Sequence, residues 1–318
     1  MNLLKGPHTK TLLKTIFSQR GIRPRKRLGQ NFLIDQNILR FIVNASSVGA
    51  DDIILEVGTG TGALTSLLAE KAQMVFSVEM DTGLFKLASE ALQSYSNIRL
   101  INKDILSSKS ALEPQVENEL LSYIRSLQRK LILKVVSNLP YSISTPLIIK
   151  LLEGPLPIEL MVLTLQRDIV NRLVAQPGTK DYGILSITAQ LFSDINLIKT
   201  LSPEVFWPTP KIESAVVVLH VHKENLKNIS NYELFQKIVH AIFESRRKII
   251  VNSFVRLSES ASGVTRFKPL LIPKEQLLTI LRGLGIAPDQ RGETLTPEQF
   301  AHLSEEINLF LTGSGICF

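Results

Sequence analysis

A single cysteine, Cys317, is all the thiol chemistry in these 318 residues. It has no partner for an internal disulfide, which fits a reducing compartment, and a position beside the last residue is an odd one for a catalytic thiol. Zinc has little to bind: the five histidines, His8, His220, His222, His240 and His302, show no clustered ligand spacing, so no metal is expected. Long apolar runs are missing as well. No stretch approaches the roughly 18 uninterrupted apolar residues of a membrane span. With 44% apolar and 20% charged residues, the composition is that of a soluble globular protein.

Acids are absent from the first 34 residues, which hold eight Lys or Arg. Arg23, Arg25, Lys26 and Arg27 are almost contiguous, and Arg246-Arg247-Lys248 forms a second cluster within a net charge of +7. Basic patches of this kind release counterions on meeting a phosphate backbone and bind nucleic acid without sequence preference. A solvated basic face and an organelle transit peptide are the competing readings. Because Arg23 to Arg27 run straight into Gly29-Gln30-Asn31-Phe32-Leu33, the segment is expected to stay on the mature protein.

Strands and helices then alternate. Ile53 to Val57, Met74 to Val78, Ile98 to Ile101, Leu131 to Val136 and Leu160 to Leu165 are short apolar strands. Helical stretches such as Ala63 to Lys71, Asp81 to Tyr95 and Pro146 to Leu152 fall between them. Strands without polar alternation, separated by helices, predict an α/β fold with a parallel sheet covered on both faces. Ile195 to Leu201 and Ala215 to Val221 flank Pro203 to Pro210 and predict a hairpin at the sheet edge. Past His222 the period changes: Phe235, Ile238, Val239, Ile242 and Phe243 mark an amphipathic helix. Lys274 to Gly283 marks another, and Thr296-Pro297-Glu298 opens a third. The expected organisation is a basic segment over 1–27, an α/β domain over 28–223 and a small all-helical domain over 224–318.

Two motifs carry the chemistry. Glu56-Val57-Gly58-Thr59-Gly60-Thr61-Gly62 is a glycine turn between strand and helix, and Glu79 ends the next strand at the spacing of a ribose ligand. The loop alone fits NAD as well as S-adenosylmethionine. The other strand ends favour the latter: Asp104 is suited to an adenine amino group, Asn138 would lie beside a reactive sulfonium, and no histidine is near to serve hydride transfer. In Asn138-Leu139-Pro140-Tyr141, the side-chain oxygen of Asn138 and the backbone carbonyl of Leu139 can accept both hydrogens of an adenine N6 amine. That orients the nitrogen and weakens its conjugation with the ring. Tyr141 can stack on the base, with Phe206 as candidate for the opposite face. Placement and a dry pocket would then do most of the work.

These motifs, with Leu28 to Leu33, Ser144-Thr145-Pro146, Gln166 to Leu173, Tyr182-Gly183, Leu185-Ser186 and Phe206 to Ser214, resemble the small-subunit ribosomal RNA adenine N6-dimethyltransferases, the KsgA/RsmA family, across most of the chain. The resemblance implies a Rossmann-like class I S-adenosylmethionine-dependent methyltransferase sheet with a small all-helical C-terminal domain that touches rRNA. It implies dimethylation of two adjacent adenosines in the 3′-terminal hairpin of small-subunit rRNA, within a pre-assembled small ribosomal subunit, by a cytoplasmic monomer. Cofactor contacts carry over to Asn31, Leu33, Gly58, Glu79, Asp104 and Asn138, and target-base positions to Asn138, Leu139, Pro140, Tyr141 and Phe206. Arg23, Arg25, Lys26, Arg27, Arg246, Arg247 and Lys248 are the expected RNA contacts. Ser142 stands where many members have asparagine, and Ser107 to Lys130 has no assigned role. The macrolide-resistance type of large-subunit rRNA methyltransferase and a mainly non-catalytic ribosome-assembly factor are the rival readings.

Overall fold

The computed structural model describes residues 9–108, 111–127, 131–244, 246, 248–259 and 272–313. Cys317, Arg247 and the side chain of Lys26 lie outside the described residues. Numbered in chain order, the elements are α1 (Lys10–Gln19), β1 (Phe32–Leu33), α2 (Gln36–Ala45), β2 (Asp52–Val57), α3 (Ala63–Ala69), β3 (Met74–Val78), α4 (Thr82–Leu92), β4 (Ile98–Ile101), β5 (Leu106–Ser108), β6 (Ala111–Leu112), α5 (Pro114–Ser126), β7 (Ile132–Asn138), α6 (Ser144–Glu153), β8 (Ile158–Gln166) and α7 (Arg167–Leu173). They continue with α8 (Ile184–Phe192), β9 (Ser193–Leu201), β10 (Phe206–Trp207), β11 (Ser214–Val221), α9 (Lys223–Lys227), α10 (Tyr232–Glu244), α11 (Ile250–Glu259), α12 (Lys274–Gly283) and α13 (Pro297–Gly313).

The chain divides into two compact units, one of Met1–Val170 with Ser193–Val221 and the other of Asn171–Phe192 with His222–Phe318. The first is built on a seven-stranded sheet of order β4-β3-β2-β7-β8-β11-β9. β2, β3, β4, β7 and β8 are mutually parallel, whereas β11 runs antiparallel to both β8 and β9. The last pair is the edge hairpin expected from the sequence. All six side chains of β2 are buried, as a strand covered on both faces requires. From β2 the order steps one way to β3 and β4 and the other way to β7, so the sheet reverses direction between β2 and β7. In doubly wound sheets, ligands bind outside the carboxyl ends of the strands at such a point.

The N-terminal basic segment is more ordered than its composition suggests. α1 buries Leu13, Ile16 and Phe17 in a cluster with Phe32, Leu84 and Leu87. The Phe17 ring lies edge-on to Phe32 and Trp207, each at 5.3 Å between centroids. α2 is a further helix absent from the expectations, although its signals are in the sequence. Asp35 caps it, accepting from Asn37 N and Ile38 N, and Ile38, Leu39, Ile42 and Val43 form its buried stripe. The unassigned stretch after Ser107 contains β6 and α5, which buries Val116 and Leu120 and lays Tyr123 edge-on to Phe76.

The second unit gathers helices. α12 spans the expected residues, and α13 starts at the expected Pro297. Residues 171–192, expected in the α/β domain, cluster with the helices instead. Within that unit, Gln190 Nε2 donates to the Leu173 and Ala175 carbonyls, and the buried Tyr182 hydroxyl donates to Leu295 O. α8 buries six of its nine residues, so its sequence lacks the polar stripe that would have marked it as a helix.

Candidate active site

Both motifs sit at the reversal between β2 and β7. β2 ends at Val57, and the glycine loop follows with Gly58 N donating to Val78 O at 2.8 Å. Gly58 has φ 90°, and a Cβ there would come within 3.1 Å of the Pro140 ring. Only glycine combines that backbone with so close an approach. β7 runs two residues further than the sequence suggested, so Asn138 is its last residue, in register with Thr164 of β8. The loop and the tetrad are therefore packed directly on one another.

A cleft lies here, lined by Leu28, Gly29, Gln30, Asn31, Phe32, Gly58, Gly60, Glu79, Met80, Leu84 and Asn138 to Pro140. Glu79 is buried; its Oε2 accepts from Gly60 N and its Oε1 from Asp81 N, both at 2.9 Å. Burial pushes its carboxyl above the ordinary range, while these backbone donors pull it back. Each oxygen keeps acceptor capacity beyond its one backbone donor. That is the chemistry two adjacent ribose hydroxyls need, so the donor set fits S-adenosylmethionine.

Beneath the loop, Glu56 is fully enclosed. Its Oε2 accepts from Thr65 Oγ1 and Ser77 Oγ, both at 2.6 Å. With Glu56 ionised, Ser77 gives it its one hydroxyl proton, so Thr59 then donates in the 2.6 Å Thr59–Ser77 bond. Burial raises the Glu56 carboxyl to about 7, the hydroxyl bonds opposing the shift and nearby Glu79 adding to it.

Asn138 is held by an asymmetric arrangement. Its Nδ2 donates to the backbone oxygen of Asn31 at 2.9 Å. A carbonyl can only accept, so the amide nitrogen faces Asn31 and the orientation of the side chain follows. Its Oδ1 is buried with no hydrogen-bond partner. Leaving a buried acceptor unsatisfied costs on the order of 1–3 kcal/mol. Next along, the Tyr141 hydroxyl bonds Ser214 Oγ at 2.6 Å, and burial raises the phenol above its usual range, keeping it neutral.

Of the expected cofactor and base residues, Asn31, Gly58, Glu79, Asn138, Leu139 and Pro140 meet at the cleft. Leu33 and Phe206 do not line it. They pair across the β1–β10 ribbon and are 5% and 1% exposed within the hydrophobic core, which corrects the expectation of a Phe206 ring open to a base. Asp104 is also off the lining; it is exposed, and its Oδ1 accepts from Leu106 N at 3.0 Å in the turn after β4. Met80, 43% exposed beside Glu79, is a lining residue the expectations did not include. Its signal was an apolar side chain in a loop directly after a strand-end acid.

The expected RNA contacts separate too. Arg23, Arg27 and Lys248 are exposed. Arg25 pairs with Asp81 at 3.2 Å. Arg246 is committed inside the helical unit, donating to Glu293 and to the Thr179 and Lys180 carbonyls. That use matches a structural cation better than a free phosphate contact. Among the described residues there is no group of three or more potential metal ligands and no helix long and apolar enough to cross a membrane.

The sheet, its edge hairpin and a cleft at the β2–β7 reversal define a class I methyltransferase fold. The same fold is seen in a dimethyladenosine transferase from Plasmodium falciparum, with a TM-score of 0.66 and 23% identity, covering 89% of this chain and 98% of that one. It is seen again in the 23S rRNA methyltransferase ErmE, with a TM-score of 0.57 and 24% identity, covering 87% and 99%. Sequence goes further. The ribosomal RNA adenine dimethylase family matches residues 21–307, and the chain belongs to it. Its relatives include the ribosomal RNA small subunit methyltransferase A of Caldanaerobacter subterraneus, 39% identical over 290 residues (91% of this chain, 99% of that one). That of Geobacillus thermodenitrificans is 38% identical over 294 residues (92% and 94%).

Proposed function

We propose that this protein transfers methyl groups from S-adenosylmethionine to N6 of two adjacent adenosines in the 3′-terminal hairpin of small-subunit rRNA, acting on a pre-assembled small ribosomal subunit in the cytoplasm. The observation that carries the reading is the buried, unpartnered Oδ1 of Asn138 beside the cofactor-type cleft. It is an acceptor waiting for a donor, and an exocyclic amine supplies one. The curated relatives' shared name, ribosomal RNA small subunit methyltransferase A, supports the choice of subunit.

When bound, S-adenosylmethionine would supply an electrophilic methyl group. Glu79 would hold its ribose hydroxyls, with Asn31 and Gly58 along the cleft. Asn138 Oδ1 and the Leu139 carbonyl would accept the two N6 hydrogens, which turns the nitrogen lone pair away from conjugation with the ring and toward the cleft. Asn138 keeps this orientation because its Nδ2 is already spent on Asn31. Tyr141, tethered to Ser214, would present its ring to the base. A phenol raised above its usual range is no base at neutral pH, so the proton lost from N6 goes to solvent and catalysis rests on placement. Arg23, Arg27 and Lys248 would add salt-dependent affinity for the rRNA backbone.

Methyl transfer from labelled cofactor to unmodified small subunits, followed by nucleoside analysis, tests the reading. N6,N6-dimethyladenosine in small-subunit rRNA is the expected product. Product confined to naked large-subunit RNA would replace the proposal with the resistance-type activity, and none on either would leave a binding or assembly role. Asn138→Ala should retain cofactor binding while losing about 100-fold or more in rate, as removal of a positioned catalytic hydrogen-bonding group does.

A further inference from the structure

One segment serves two sites. Residues 28–32 form one wall of the cofactor-type cleft, and Asn31, within the same five residues, sets the Asn138 amide through its backbone oxygen. The segment also lies against the tetrad's backbone: a methyl group on Gly29 would meet Tyr141 N at 2.8 Å and Ser142 N at 2.9 Å. Its two ends are fixed differently from its middle. Before it, Ile22 N donates to Phe17 O, which ties it to the buried face of α1; after it, β1 pairs with β10. Between these anchors the closures are few and partly wet. Arg25 Nε meets Asp81 Oδ2 at 3.2 Å with the arginine about half exposed, and Arg25 N donates to Gln30 Oε1 at 2.7 Å.

The cleft under this segment has a cavity of only about 50 Å3. Pockets that enclose a small molecule of nucleoside size or larger run to roughly 300 Å3 or more. The polar groups fit the cofactor while the enclosed space is smaller than it, and a wall that moves would open that space. β2, β7 and the glycine loop are bound into the sheet and the core. Apart from Ile22, which packs against the α1 cluster, residues 22–31 are held by one half-exposed ion pair and single hydrogen bonds and are the wall with the least to lose.

We propose that residues 22–31 are a strap that lifts to admit and release the cofactor, with Arg25–Asp81 as its latch, and that each lifting also dismantles the target-base acceptor. The coupling follows from Asn31: when its carbonyl leaves, nothing holds the Asn138 amide with Oδ1 toward the amine. Resting on the proposed function, the consequence is that the two methyl groups reach one adenine in separate visits of the base, because the spent cofactor cannot be exchanged while Asn138 is engaged. Arg25 then acts as a positioning residue for the cofactor and not as an RNA contact.

Two measurements test this. The first follows labelled S-adenosylhomocysteine leaving the protein without RNA. Arg25→Ala and Gln30→Ala should each speed release about two- to fivefold, the range a partly exposed ion pair or single bond commands. Arg25→Ala should leave the salt dependence of RNA binding unchanged. Unchanged release in both variants, or a shallower salt slope in Arg25→Ala, would overturn the latch. The second uses small subunits in large excess over enzyme. Early product should be N6-monomethyladenosine in the rRNA of released subunits, and dimethyladenosine appearing from the start without it would overturn separate visits. Because cofactor release is read without RNA, the strap can fail while the proposed function stands, and the reverse.

Discussion

The Cα of Gly29 faces the amide nitrogen of Tyr141 so closely that a Cβ would sit 2.8 Å from it, and Gly29 has φ 65°. No L side chain avoids both penalties, since the left-handed backbone itself costs roughly 1–2 kcal/mol and the backbone atoms it would strike cannot rotate away. Gly29→Ala should therefore lower stability by about 1–3 kcal/mol. It should also cut methyl transfer more than stability alone accounts for, because the displaced segment carries Asn31. Denaturant unfolding alongside initial rates on folded protein checks both parts.

Tyr141 offers a separation of ring from hydroxyl. The hydroxyl's bond to Ser214 orients the ring, while the ring is the surface a base would stack on. Tyr141→Phe should stay within a few-fold of the parent rate. Tyr141→Ala should fall about 5- to 150-fold, the equivalent of the 1–3 kcal/mol that base stacking on an aromatic contributes. Equal losses in the two variants would mean that the hydroxyl, and not the face of the ring, matters.

The α/β alternation, the edge hairpin and the helices α10, α12 and α13 were legible because apolar runs, turn prolines and helical periodicity are local signals, whereas α9 and α11 were not among the expectations. That Asn138, Pro140, Gly58 and Glu79 would lie together at one cleft was legible because strand ends converge wherever a parallel sheet reverses order. Phe206 was misread for a physical reason: sequence marks an aromatic near a proline-rich turn but cannot say which side of a two-stranded ribbon it faces, and pairing with Leu33 turns it into the core. Arg25 and Arg246 were read as RNA contacts because their partners, Asp81 and Glu293, lie 56 and 47 residues away in the chain. Charge runs show where cations are but not which of them are already paired.

Lys134 is a buried cation that composition could not reveal. Its ammonium donates to Asp52 Oδ2 at 2.7 Å and to the Ser46 and Ser47 carbonyls at 3.1 and 2.9 Å, using all three of its protons. Asp52 opens β2, at the end of the sheet opposite the cleft. Lys134→Met would leave Asp52 buried without its counter-charge, and breaking a buried pair from one side costs about 3–5 kcal/mol. The midpoint of thermal unfolding should fall markedly, while the methylation rate per folded molecule stays near that of the parent.

Glu56 gives the pH dependence of stability. Its carboxyl is raised by burial from the ordinary 4.5 to about 7 in the folded protein. Between those values the unfolded chain has lost this proton and the folded chain still holds it, so the folded state binds more protons and stability falls as pH rises through the window. The decline levels off above pH 7, once both states are ionised. At 1.36 kcal/mol per pH unit the full effect is on the order of 3 kcal/mol. Glu56→Gln keeps an oxygen for the Thr65 and Ser77 hydroxyls but cannot ionise. Relative to the parent, it should therefore be more stable at pH 8 than at pH 5 by an amount of that order. Glu79 is present in both proteins, so its own titration largely cancels in the comparison. Urea unfolding of both proteins at the two pH values reads the difference directly, and parallel curves would mean that Glu56 is already ionised under the glycine loop.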